Sequence, residues 1–191
     1  MPPFPARLGP LHTMQTGWNS GLRRAALALL AALALVPASA RAETPEEWIR
    51  LGARVHGGFG TYIALGIRLG LDAVQQLGAK PRELDVTVYD GVATPCPCIA
   101  DGVMIATTAS PGQGTLRVAT DKAPAEHMAV VVIRHRRDGR ALRYTVPDAL
   151  RGQLADWNKG NDPPGRWAVV MAEPEARLFA REVLTPAFVP K

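Results

Sequence analysis

The sequence predicts an α+β fold, with a mixed, largely antiparallel sheet and helices packed against it. Three observations lead there. The predicted elements run helix, helix, strand, helix, then three strands in succession, then helices, without the strand–helix alternation of a doubly wound fold. Of the 191 residues, 47% are apolar, enough for a core and too many for a disordered chain. Only two cysteines are present, which excludes a four-cysteine zinc ribbon and a multi-disulfide scaffold.

Residues 1–42 read as a secretory signal peptide. Arg23-Arg24 precede an apolar run from Ala25 to Val36 and a small-residue exit ending Ala40-Arg41-Ala42, the order of a signal cleaved after Ala42. The run is shorter than the ~20 residues of a spanning helix. Met14 is an alternative start, and the Arg pair admits twin-arginine as well as general secretion. The expected mature domain is 43–191, exported to the periplasm, an oxidising compartment, with no membrane segment after cleavage. The same 42 residues hold four Arg and no acid, so the net charge of +5 falls to +1 without them. The basic balance therefore points to no nucleic-acid partner.

Thr44, Pro45 and Glu47 read as N-cap, N1 and N3 of a helix reaching about Arg54. After Gly57-Gly58-Phe59-Gly60, a second helix spans Thr61 to Leu77, with Ile63, Ile67, Leu71, Val74 and Leu77 near helical spacing and Gly78 closing it. Gly66 and Gly70, four apart, mark a face where another backbone packs closely. Leu84 to Tyr89 alternates as a strand. Ile99 to about Ala109 reads as a buried helix. Strands follow at Thr115–Thr120, Ala129–Arg136 and Arg140–Val146, the last two joined at Asp138-Gly139. Asp148 is expected to cap a helix to about Trp157. Lys159 to Gly165 reads as a loop, Trp167–Met171 as a short strand, and Pro174 to Leu184 as a terminal helix.

Two segments carry chemistry. In the first, His56 is read as standing on glycines just before a helix N-terminus, where a neutral imidazole serves as metal ligand or base. The alternative is an incidental surface histidine in a flexible turn. In the second, Cys96-Pro97-Cys98-Ile99-Ala100-Asp101, both sulfurs lie at a helix start, which favours thiolate. Asp101 is placed to be a third ligand or to orient one. A soft-ligand metal site is one reading, a Cys96–Cys98 bond that is comparatively easy to reduce is another, and a merely buried Cys98 is a third. His127 is assigned to a polar turn, and His135, within Arg134-His135-Arg136-Arg137, to a solvated hairpin. Trp157 and Trp167 are assigned to the core or a partner face. No phosphate loop, His-Glu-x-x-His helix or Gly-x-Ser-x-Gly elbow occurs.

His56-Gly57-Gly58-Phe59-Gly60-Thr61-Tyr62, continuing through Leu65-Gly66-Ile67-Arg68-Leu69-Gly70, resembles the signature of the FmdE family, which takes its name from formylmethanofuran dehydrogenase. Cys98-Ile99-Ala100-Asp101-Gly102, with Thr107-Thr108 and Gly112-Gln113-Gly114-Thr115-Leu116, is similar to the family's second block. The resemblance covers roughly Val55 to Val118, with a looser match through the strands. It implies a fold like the catalytic-domain half of glyceraldehyde-3-phosphate dehydrogenase. It also implies His56 and Cys98 as candidate metal ligands, with Asp101 beside them and Cys96 available to complete the set. Gly58 stands where the family has a second His, and Thr61 where it usually has Pro. Two cysteines cannot hold a four-thiolate cluster, so the iron–sulfur chemistry of the family's name does not carry over.

The expected function is thus an exported FmdE-like domain binding a divalent metal, zinc or nickel, with a position open to a small molecule. The alternatives are a non-catalytic accessory subunit with an exported partner protein or a second copy of itself, and a thiol redox module using Cys96 and Cys98.

Overall fold

The computed structural model describes residues 43–94 and 97–184, all within the unit Glu43–Lys191. Helix α1 spans Pro45–His56 and opens on a capping box. The Thr44 hydroxyl accepts from the Glu47 N–H, and the Glu47 carboxylate accepts from the Thr44 N–H at 2.7 Å. Gly57, at φ 85°, ends the helix in the left-handed region. Helix α2, Thr61–Leu77, is buried over most of its surface and is the central helix of the fold. Strand β1 is Leu84–Asp90 and helix α3 is Cys98–Thr107. Strands β2, Leu116–Val118, β3, His127–His135, and β4, Ala141–Pro147, follow.

The sheet order is β2-β1-β3-β4-β5, where β5 is Ala180–Leu184. β1 and β2 are parallel, and the other pairs are antiparallel. The expected mixed, largely antiparallel α+β architecture is therefore what the chain adopts. Register follows side-chain alternation: Val88 stands opposite Val131, and Val131 opposite Tyr144. These residues face the core with Val86, Ile133 and Val146. Thr87, Tyr89, Val132, Arg134 and Arg143 face away and are partly or fully exposed. Each fully buried Ile, Leu or Val contributes roughly 1.5–3 kcal/mol.

The α2–α3 contact positions the site. A Cβ on Gly66 would lie 2.2 Å from the Ile99 carbonyl oxygen, and one on Gly102 would lie 2.3 Å from that of Ile63. The two backbones touch through these glycines, as the Gly66–Gly70 spacing predicts, and Gly102 is the reciprocal half of the contact. The crossing holds the start of α3, with Cys98 and Asp101, beside the end of α1.

The C-terminal third departs from the sequence reading. Asp148 begins a 3-10 turn, Asp148–Leu150, instead of capping the helix, and its carboxylate pairs with Arg151. Helix α4 is Arg151–Gly160. The expected loop and short strand are replaced by helix α5, Pro163–Ala172. Asp162 caps it by accepting from the Gly165 N–H at 2.9 Å, and Pro163 occupies the first turn, where a missing N–H costs nothing. The expected terminal helix is one turn, α6, Glu175–Leu178, followed by β5. β5 is an exposed edge strand that lacks apolar alternation. It is fixed by Arg181 to Asp72 at 2.6 Å and Glu182 to Arg143 at 3.1 Å.

His135 also departs from the expected solvated hairpin. It is buried rather than solvated, with Nδ1 3.0 Å from Asp138 and Nε2 3.5 Å from Glu83. The arginines around it are matched by acids: Arg137 pairs with Glu83 and Arg136 with Asp85. His127 opens β3 instead of lying in a turn. Trp157 and Trp167 are half-buried against the core. No helix of the described residues is long and apolar enough to cross a membrane.

Candidate ligand and metal site

His56 is the last residue of α1. The helix runs two residues further than expected because Gly57, not an earlier break, supplies the left-handed residue that ends it. The imidazole therefore stands at a helix C-terminus, and the N-terminal environment read from sequence does not apply to it. Its Nδ1 lies 2.7 Å from Asp101 Oδ2 across the α1–α3 junction. Asp101 thus orients the ring, and Nε2 is left as the nitrogen for a ligand.

Cys98 is the first residue of α3 and is disulfide-bonded. The sequence has one other cysteine, Cys96, which lies outside the described residues. His56 and Cys98 line one cavity of about 270 Å³, together with Gly58, Phe59, Gly60, Tyr62, Ile63, Asn158 and Arg166. The two chemistry-bearing segments, more than forty residues apart in sequence, face the same space.

The far wall comes from residues the sequence reading passes over. Arg166, on α5, donates from Nε to the Asn158 carbonyl and from Nη1 to the Phe59 carbonyl, both at 2.9 Å. Asn158, on α4, accepts from the Thr61 N–H at 3.3 Å and so helps to close the N-terminus of α2. The Thr61 hydroxyl donates to the Leu154 carbonyl at 3.0 Å. Burial raises the Tyr62 pKa, with Arg151 opposing, so its phenol is a hydrogen-bond donor at neutral pH. No sequence signal singles out Arg166 or Asn158. Arg166 lies on a helix whose start reads as a loop, Asn158 lies just past the expected end of its own helix, and both reach the cavity only through the tertiary fold.

Among the described residues no three His, Cys, Asp or Glu side chains are grouped to hold a metal. With Cys98 bonded as a disulfide and Asp101 engaged with His56, the imidazole Nε2 is the His, Cys, Asp or Glu donor that the described residues present in the oxidised site. A thiolate joins it only on reduction.

A search among curated proteins finds no match to this chain. The family described as FmdE, molybdenum formylmethanofuran dehydrogenase operon, matches residues 55–181. That span begins immediately before His56, contains Cys98, Asp101 and Arg166, and ends within β5. This protein belongs to the FmdE family.

Proposed function

We propose that this FmdE-family domain is a thiol-dependent binding site for one divalent metal ion, zinc or nickel. His56 Nε2 and the Cys98 thiolate are the ligands, and Cys96 or solvent completes the set. The observation that carries the reading is the 2.7 Å bond from His56 Nδ1 to Asp101, beside a cavity that Cys98 also lines. A carboxylate that fixes the far ring nitrogen is the usual support of a metal-bound histidine. The bound ion would act as a Lewis acid with an open position. His56 and Cys98 would hold it, Asp101 would orient His56, and Phe59 and Ile63 would limit water on one side.

Metal titration of the purified protein, with and without a phosphine reductant, tests this. Binding at micromolar metal is expected only in the reduced protein, and His56→Ala and Cys98→Ser should each abolish it. Reduced wild type that takes up no metal, or variants that bind like wild type, would overturn the reading.

The disulfide at Cys98 favours a second reading, a thiol redox module, in which reduction and reoxidation of the bond are themselves the activity. Thiol counting separates the two. Two free thiols in protein isolated without reductant would dispose of the redox reading and leave the metal site standing.

We read the domain as exported, with cleavage after Ala42 leaving the Thr44–Glu47 capping box whole. Mass spectrometry of the mature protein should find Glu43 at its N-terminus, and an intact segment 1–42 would refute this.

A further inference from the structure

We infer that the cavity beside His56 takes a small monocarboxylate, with Arg166 as its counter-ion. The inference rests on reading this cavity as a ligand site, but it needs neither the metal nor reduced Cys98.

Arg166 is half-buried, and its guanidinium is held by two backbone carbonyls rather than by an acid. The Asp and Glu side chains of the described residues that form ion pairs engage other arginines or histidines. A cation withdrawn from water normally has a countercharge. Here the two carbonyls fix the guanidinium plane and leave Nη2 for a ligand. A guanidinium matches a planar carboxylate with charge-assisted bonds.

The other walls define the rest of the ligand. Phe59 and Ile63 are apolar and almost fully buried, so they close the floor of the cavity and leave contact for a tail of only one or two carbons. Tyr62 also lines the cavity, and its neutral phenol is a hydrogen-bond donor. The volume of about 270 Å³ is that of about nine waters at ~30 Å³ each in the liquid, which bounds the ligand to a small molecule. A dianion would need a second uncommitted cation, and the nearby charges are engaged. Arg151 is paired with Asp148 and donates to the Ala93 carbonyl, and His56 faces Asp101.

The test uses the oxidised protein in a metal chelator, followed by calorimetry and by NMR of isotope-labelled protein. Propionate is the probe, propionamide its uncharged isostere, and sulfate the dianion. Propionate should give saturable shifts at the Arg166 side chain and at the Gly58 and Gly60 amides. Propionamide and sulfate should bind roughly tenfold or more weakly. Arg166→Gln should lose propionate binding. Because Arg166 also ties two carbonyls, a second variant leaves those bonds intact. Gly58→Asp places a carboxylate where nothing lies within 4 Å of the new Cβ and should weaken propionate by a similar factor. Absence of saturable propionate shifts, equal binding of propionamide or sulfate, or unchanged affinity in both variants would overturn the inference. None of these outcomes bears on metal uptake by the reduced protein.

Discussion

Gly58 shows how one missing side chain sets the chemistry of this cavity. It stands where the resemblance to the FmdE signature places a second histidine. It is not in the left-handed region, and a Cβ there meets nothing within 4 Å. Backbone strain and a clash at Cβ therefore do not explain the glycine. If His56 and Cys98 are metal ligands, Gly58→His should add a donor to the same cavity. Zinc affinity of the reduced variant is expected to rise by about tenfold or more, since each added ligand bond outweighs the loss of a coordinated water. Competition with a chromophoric chelator reads the change, and an affinity equal to wild type would place the metal elsewhere. Asp101→Asn probes the opposite side. It keeps the shape but removes the charge that orients His56, and losses of a supporting carboxylate cost roughly 10–100-fold in metal affinity.

The α2–α3 contact converts backbone geometry into site geometry. Gly66→Ala would drive a methyl to 2.2 Å from a carbonyl oxygen, and Gly102→Ala would meet Ile63 oxygen at 2.3 Å and Ile67 nitrogen at 2.7 Å. Neither neighbour is a flexible side-chain tip, so the helices must separate. Each substitution should cost about 3 kcal/mol or more, at or above the upper end for overpacking. The gain of ~1 kcal/mol in helix propensity offsets only part of this. Urea unfolding measures it, and a variant as stable as wild type would show that the helices do not meet there. This contact was legible because small residues four apart on an otherwise apolar helix have few other uses. The strands β1, β3 and β4 were legible from alternation and the Asp138-Gly139 turn. Helix α5 was not, because Asp162-Pro163-Pro164-Gly165 reads equally as a loop and as a helix start, and the apolar stretch after it is too short for its period to decide. β5 hid for the complementary reason, since an edge strand held by ion pairs has no buried face to pattern it. Of the site, the cavity residues His56 and Cys98 and the His56 partner Asp101 are visible as motifs. Arg166 and Asn158 flank the segment that reads as a loop, so their half of the wall was invisible.

Folding shifts carboxyls of this domain in opposite directions, as Glu83 and Asp90 show. The Lys80 backbone N–H, donating to Glu83 at 2.9 Å, holds the Glu83 pKa below the ordinary range, with burial opposing and Arg137 and His135 assisting. A carboxyl lowered by folding stabilises the native state above the unfolded value, and this contribution is lost as pH falls through the folded one. Asp90, at the inner end of β1, is the reverse. It is 5% exposed, its Oδ1 has no hydrogen-bond partner, and burial raises its pKa, only partly opposed by Lys122. Its penalty is absent below the unfolded value and grows as pH rises, until it is complete above the folded one. The two groups therefore pull the stability profile in opposite directions, Glu83 steepening acid unfolding and Asp90 blunting the recovery toward neutrality. Asp90→Asn keeps the shape of the side chain and removes only its titration. It should raise stability at about pH 7 by on the order of 1 kcal/mol, the scale of an uncompensated buried polar group. The difference should close toward about pH 3, where both side chains are neutral. Urea melts of the two proteins across this range measure it. A variant less stable than wild type at neutral pH would mean that the Asp90 charge is compensated in the native protein, and that the carboxylate contributes to the fold instead of opposing it.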